Sequence, residues 1–165
     1  MVSDERLAEP TEGSWVYLSE AMQVPKLDAA TELYDRVADA CLASGFYAYR
    51  PYAKRPEITP ALVERLRHAV AHADACLFYV GRLSSGVGAE LAWATDRRRP
   101  VIAVQMDGDE PSPLLESMLS GYDRAVRLRC VNSEDCALQV RATLADPRWH
   151  EILRMAEAEL AEDLL

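Results

Sequence analysis

Positive charge is scarce in this chain: 18 Lys and Arg stand against 27 Asp and Glu in 165 residues, a formal net charge of −9. A surface of that sign repels DNA, RNA and anionic lipid, so no nucleic-acid polymer is expected as a partner, and only a local basic pocket is left to take one small anion. Long apolar runs are missing too. None approaches the ~18–20 residues that span a bilayer, so no membrane partner is expected. Cysteine is limited to Cys41, Cys76, Cys130 and Cys136, with no CxxC pair, and the histidines (His68, His72, His150) do not complete a metal spacing with them. The expectation is a reducing cytoplasm, no disulfide framework, no structural zinc and no cofactor. His68 and His72, four apart, are a metal pair only if a third ligand lies near; otherwise they are exposed helix residues. The opening MVSDERLAEPTEGS is acidic and polar, unlike a secretory signal. Residues 1–13 read as a flexible N-terminal extension and 14–165 as a single domain ending in an amphipathic helix.

Strand and helix patterns alternate along that domain. Trp15 to Ser19 is a short β-branched and aromatic run, read as a strand. Ala30, Leu33, Val37 and Cys41 repeat at helical spacing and Gly45 stops them. Phe46 to Tyr49 reads as a second strand ended by Pro51. Thr59-Pro60 starts a helix whose apolar stripe is Leu62, Leu66, Ala69 and Ala73. Ala75 to Val80 is a continuous apolar run, as in a strand buried on both faces. Val101 to Val104 is another. Leu114 to Leu119 suggests a short helix, Val126 to Cys130 a more exposed strand, Ser133 to Leu144 a helix, and Asp146-Pro147 opens the last one. Five such strands predict an α/β fold, a flavodoxin-like or Rossmann-like three-layer sandwich around a five-stranded parallel sheet. Ligands of such sheets bind at the carboxyl ends of the strands, near the switch point. The loops after Ser19, Tyr49 and Val80 should meet there.

The third of these loops, with the helix after it, reads LSSGVGAELAWA, Leu83 to Ala94. Gly86 and Gly88 remove side chains where the chain enters a helix, so a ligand can approach the backbone. The helix N-terminus offers free N–H groups, and Ser84 and Ser85 add hydroxyls. Glu90 lies about one turn further in. With Ser85 as N-cap the third helical position is Gly88, so Glu90 is not part of a capping box. On a wheel whose stripe is Val87, Leu91, Ala94 and Arg98, Glu90 falls at the edge, neither plainly inside nor plainly outside. The loop is not a Rossmann GxGxxG fingerprint, and no GK[ST] follows it.

The run Ser84-Ser85-Gly86-Val87-Gly88-Ala89-Glu90-Leu91-Ala92-Trp93-Ala94 resembles the signature of the nucleoside 2-deoxyribosyltransferase superfamily, nearest its deoxynucleoside 5′-monophosphate N-glycosidase branch. Ala73-Asp74 before the apolar strand, Val16 to Ser19, and Leu115 to Gly121 resemble that family in the same order, over roughly Trp15 to Leu144. The resemblance implies hydrolysis or transfer at the N-glycosidic bond of a nucleoside or nucleoside 5′-monophosphate. Positive charge builds at the anomeric carbon as the bond breaks, and a carboxylate held against that carbon can stabilise it and bond to it. By the resemblance, Glu90 is the nucleophile, while Ser84, Gly86 and Gly88, in the loop that also carries Ser85, hold the sugar's 5′ end or its phosphate. Tyr17 either orients Glu90 and the sugar or is a packed strand residue. Ser19 lies with it at the end of the first strand, and Met118 is central to a segment that lies at a subunit interface in relatives, so a homodimer or larger assembly is expected.

Three positions depart from the family pattern. Glu20-Ala21-Met22-Gln23-Val24 stands where relatives carry glycine and often arginine, and a glutamate there repels a phosphate. Leu66 stands, by spacing, where relatives carry a proton-handling aspartate. Ala92 and Trp93 stand where relatives commonly carry a glycine and a smaller or polar residue, which narrows the expected pocket. Glu20, at the end of the first strand, either replaces the aspartate as a second carboxylate sharing the site with Glu90 or is a solvated loop residue. Tyr49-Arg50-Pro51-Tyr52-Ala53-Lys54-Arg55 either stacks a base on its tyrosines and pairs a phosphate through Arg50, Lys54 or Arg55, with Arg82 as a further candidate, or is a solvated loop. Arg97-Arg98-Arg99 reads as a solvated helix end. Two other functions stay open: a nucleotide-sensing module that kept the pocket and lost the chemistry, and a glycosidase acting on NAD.

Overall fold

The computed structural model describes residues 13–20, 27–53, 56–82 and 84–163. Most of the N-terminal extension, Ala21 to Val24, Lys54, Arg55 and Leu83 lie outside the described residues. Five strands form one sheet: β1 (Trp15–Ser19), β2 (Tyr47–Tyr49), β3 (Ala75–Tyr79), β4 (Val101–Met106) and β5 (Ala125–Cys130). All neighbours are parallel and the order is β2-β1-β3-β4-β5. That is the expected flavodoxin-like winding, with its switch point between β1 and β3. The helices are α1 (Leu27–Ala43), α2 (Pro60–His72), α3 (Ser85–Asp96), α4 (Pro113–Ser120), α5 (Ser133–Ala145) and α6 (Pro147–Asp163).

Every residue of β1 and of β3 is buried, the consequence of helices on both faces of the sheet. Side chains alternate across the strands and divide the core in two. Val16, Leu18, Leu77, Ile102 and Val104 pack with Leu33 and Val37 of α1, Val140 of α5 and Trp149 of α6. Trp15, Tyr17, Cys76, Phe78 and Ala103 pack with Leu62 and Leu66 of α2, Leu91 of α3 and Leu115 of α4. Thr59 caps α2 and precedes its first-turn proline, as its sequence predicts. The final helix lies on its own domain through Trp149, Leu153 and Ala156.

Two local expectations are corrected. The N-cap of α3 is Ser84, one residue before Ser85, with its hydroxyl accepting from the Val87 N–H. The three arginines after α3 are not a uniformly solvated end. Arg98 takes a positive φ of 51°, which folds the chain back. Arg99 is thereby buried and donates to the carbonyls of Arg97 at 3.0 Å and Ala156 at 3.2 Å. No helix among the described residues is long and apolar enough to cross a membrane.

Candidate active site

The side-chain alternation of β1 decides what meets at the carboxyl end of the sheet. Trp15 and Tyr17 point to the face covered by α2 and α3, and Ser19 follows the same parity. On α3 the buried positions are Val87, Glu90, Leu91 and Ala94, the i, i+3, i+4, i+7 stripe of an amphipathic helix. Glu90 therefore lies inside the stripe, not at its edge. The wheel that included Arg98 was displaced, because the helix ends at Asp96.

Glu90 is 2 % exposed. Ser19 Oγ donates to its Oε2 at 2.5 Å, and the Tyr52 hydroxyl donates to its Oε1. Both carboxylate oxygens are thus held by neutral donors. Burial raises the Glu90 pKa above the usual carboxylate value, while the hydrogen bonds from Ser19 and Tyr52, and the nearby Tyr17 hydroxyl, oppose the rise. The Tyr17 hydroxyl, fully buried beside Glu90, sits outside good hydrogen-bond geometry with any described side chain. Its own pKa is raised, first by burial and then by the Glu90 charge.

The other candidates fall into place around this carboxylate. Tyr49 is buried and edge-on to Trp15, with ring centroids 5.7 Å apart, and tilted against Tyr17 at 6.1 Å. It supports Tyr17 from within the core. Ser85 and Gly86 are exposed at the start of α3, and Ser84 and Gly88 are half-buried. A Cβ at Gly86 would meet only Ser84 Oγ at 3.8 Å, and one at Gly88 only Leu115 Cδ2 at 3.9 Å. The chain's own packing requires neither glycine. Met118 is half-buried on the α2/α3 face, and Leu66 is 3 % exposed in the apolar cluster there.

The expectation that Glu20 shares a site with Glu90 is corrected by the same alternation. One residue past Ser19, Glu20 turns to the α1 side. Arg50, one past Tyr49, does likewise. Arg50 Nε donates to Glu20 Oε1 and its Nη1 to Asp35 Oδ1 on α1, both at 2.5 Å. Burial raises the Glu20 pKa and the Arg50 guanidinium opposes this; Asp35 adds a smaller rise, and Glu90 does not contribute. Arg82 is exposed, next to the Tyr79 hydroxyl.

One role and one residue escaped the sequence reading. Tyr52, read there among tyrosines that stack a base or sit in a solvated loop, supplies the hydroxyl on Glu90. Asp109, after β4, accepts from the Tyr79 hydroxyl at 2.6 Å and from the Met106 N–H at 2.7 Å. Its carboxylate fills the space beside Gly81, where any Cβ would lie 1.9 Å from Oδ2. Gly81 is the glycine that this loop needs for its own packing, and it fixes the start of the segment leading to α3. Among the described residues no three His, Cys, Asp or Glu side chains gather to hold a metal.

No family model matches the chain, and no curated protein does. Among solved structures, the CMP N-glycosidase BcmB of Clostridium botulinum is similar in fold, with a TM-score of 0.58 at 13 % identity. The similarity covers 78 % of this chain and 98 % of that one.

Proposed function

We propose that this chain cleaves the N-glycosidic bond of a nucleoside or nucleotide, with Glu90 as nucleophile. One observation carries the reading: an ionisable carboxyl is buried at the carboxyl end of a parallel sheet, next to its switch point, with hydroxyl donors on both oxygens. Burying a carboxylate costs free energy, and among the described residues no cation pairs with Glu90 to repay that cost. Such an arrangement fits chemistry more readily than it fits packing. The fold of a CMP N-glycosidase agrees with this reading.

The steps balance as follows. A Glu90 oxygen bonds to the anomeric carbon while the C–N bond breaks, and its electron pair leaves with the base. Water then attacks the same carbon, its hydroxyl staying on the sugar and its proton passing to the departed base, while the sugar–Glu90 bond breaks to regenerate the carboxylate; a second base in place of water makes the reaction a transfer. Ser19 and Tyr52 hold Glu90 in place and keep it ionised, and Tyr17 backs it. The glycines Gly86 and Gly88 leave the start of α3 open to the sugar, whose 5′ end meets Ser84 and Ser85. A neighbouring copy covering Met118 completes the site as a homodimer. The test is a panel of nucleosides and 5′-monophosphates incubated with the protein and read by chromatography for free base.

Glu90 must be ionised to attack, and burial raises its pKa above the ordinary 4.5. The acid limb of kcat/KM should accordingly lie above the usual carboxylate range. Tyr52→Phe removes a donor that favours the charged form, so the limb should move further up. The loss of a hydrogen bond to a charged group should also lower kcat/KM by roughly 10- to 150-fold at neutral pH. A pH–rate profile of both proteins checks this; an unmoved limb would detach Tyr52 from the reaction.

A second reading has one observation of its own. Leu66, at the family's proton-handling position, is sealed in the apolar core. A binding module that senses nucleotides fits that substitution. It predicts ligand-induced melting shifts with no release of base.

A further inference from the structure

The start of α3 and the carboxylate within that helix are held from different parts of the sheet. Glu90 is fixed from β1 and from beyond β2, through Ser19 and Tyr52. The N-terminus of α3 is tied to the ends of β3 and β4. β3 stays paired one residue past its end, where the Val80 N–H donates to the Val104 carbonyl at 2.8 Å. Gly81 comes next and is buried, and the N-cap Ser84 lies three residues further on. Three residues reach at most about 11 Å, so whatever sets Gly81 also limits where Ser84 can stand.

Asp109 sets Gly81. Gly108, at a φ of 83°, turns the chain back after β4. The turn is closed twice: the Asp109 N–H donates to the Met106 carbonyl at 3.1 Å, and the Met106 N–H donates to Asp109 Oδ2 at 2.7 Å. The same oxygen accepts from the Tyr79 hydroxyl at 2.6 Å, so it bridges the ends of two strands that pair in register. Oδ2, Cγ and Cβ of Asp109 would all lie within 2.9 Å of a Cβ at Gly81. A side chain so braced acts as a stop. Gly81 rests against it, and the segment toward Ser84 departs from there.

We infer that Asp109 is a positioning residue for the end of the site that receives the sugar's 5′ group: by seating Gly81 it places Ser84 and Ser85. The inference deepens the N-glycosidase reading and rests on it. It divides the labour between two pairs of strands. Removing the Asp109 side chain should loosen the hold on the 5′ oxygen, while Glu90, gripped from β1, keeps its place.

The experiment is a cycle between residue and substrate. The best substrate from the panel of nucleosides and 5′-monophosphates is compared with the 5′-deoxynucleoside of the same base and sugar, whose 5′ carbon is a bare methyl. In the wild-type protein, loss of the 5′ oxygen should lower kcat/KM by at least about threefold, the effect of one missing hydrogen bond. Asp109 is half-buried in a loop, so Asp109→Ala should fold. It should cost a similar factor on the full substrate, mostly through KM, and less than about twofold on the 5′-deoxynucleoside, so that the two losses do not multiply. Gly81→Ala, which drives its Cβ into the space of the same carboxylate, should give the same pattern. Asp109→Asn keeps the shape and one oxygen able to accept from both donors, and should restore most of the wild-type ratio. Equal losses on the two substrates would mark a purely structural role and overturn the inference. A wild-type protein indifferent to the 5′ oxygen would overturn it too, as would an Asp109→Asn variant as impaired as Asp109→Ala. If no compound yields base, the glycosidase reading falls, and the same compounds are compared by melting shift. Protection of the wild-type protein that depends on the 5′ group and disappears in Asp109→Ala then upholds the inference; any other result overturns it.

Discussion

Glu90→Gln should abolish base release and at the same time make the protein more stable. The activity loss follows from the proposed role. An amide cannot bond to the anomeric carbon as a carboxylate does, and at least about a thousandfold in kcat/KM should disappear, roughly 4 kcal/mol of transition-state stabilisation. The gain in stability follows from linkage. Burial raises the pKa of Glu90 in the folded chain above its unfolded value. Between those two values the folded state binds more protons than the unfolded one, so stability falls as pH rises through the window. Above the folded pKa the ionised carboxylate is a constant burden on the fold. Glutamine keeps the shape: one of the Ser19 and Tyr52 hydroxyls still donates to its carbonyl oxygen, and the other turns to accept from its amide N–H. The variant should therefore melt higher at neutral pH, by roughly 2–4 °C for each kcal/mol recovered in a chain of this size. The advantage should fade below pH 4.5, where the wild-type group is protonated in both states. Melting curves across pH, run beside the base-release assay, test both halves. A variant that loses activity yet gains no stability would mean that the charge of Glu90 is well compensated in the fold. A variant that keeps its activity would end the nucleophile reading.

Trp149→Ala carries the largest expected cost to the fold. Trp149 is 1 % exposed and anchors α6 to the α1/α5 face of the sheet. Large-to-small changes at such sites cost about 3–5 kcal/mol, against a total of about 5–15 for a typical domain. A fall in melting temperature of roughly 6–20 °C is expected. Trp149→Phe should be far milder. The indole Nε1 has no hydrogen-bond partner among the described residues, so losing it removes a buried, unmatched donor together with some volume. Equal losses in the two variants would show that shape, not burial, is what the site demands. Because Trp149 lies across the sheet from Glu90, surviving Trp149→Ala protein should retain its activity.

The layered sheet was legible in the sequence because strands buried on both faces leave unbroken apolar runs. Ala75 to Val80 shows this most plainly. Cap chemistry was legible at Thr59-Pro60 for the same reason: the signal lies within a few residues. What failed depended on contacts between distant segments. Glu90 looked ambiguous on its wheel because the end of α3 was unknown, and counting Arg98 as helical tilted the stripe. Glu20 reads from the sequence as a second site carboxylate or a solvated residue, and Arg50 as a phosphate partner or a solvated loop residue, yet each is the other's partner, a pairing set by strand parity across two separate elements. Tyr52 lies past Pro51, where no periodicity points its ring. Arg99 disappeared beneath α6 because one residue, Arg98, takes a left-handed conformation. The loop from Ser84 to Gly88 was recognisable as unusual, but Gly81, which Asp109 occupies sterically, carried no local mark at all.

The four thiols lie on both sides of the sheet: Cys76 belongs to the layer under α2 and α3, while Cys41, Cys130 and Cys136 belong to the layer under α1, α5 and α6. Burial also pushes all of them toward the unreactive protonated form. An alkylating reagent should therefore find nothing to modify until a layer opens, and mass spectrometry of the tagged peptides would then date each opening separately. Simultaneous tagging would mean the two halves of the molecule come apart as one cooperative unit; staggered tagging would show which half gives way first.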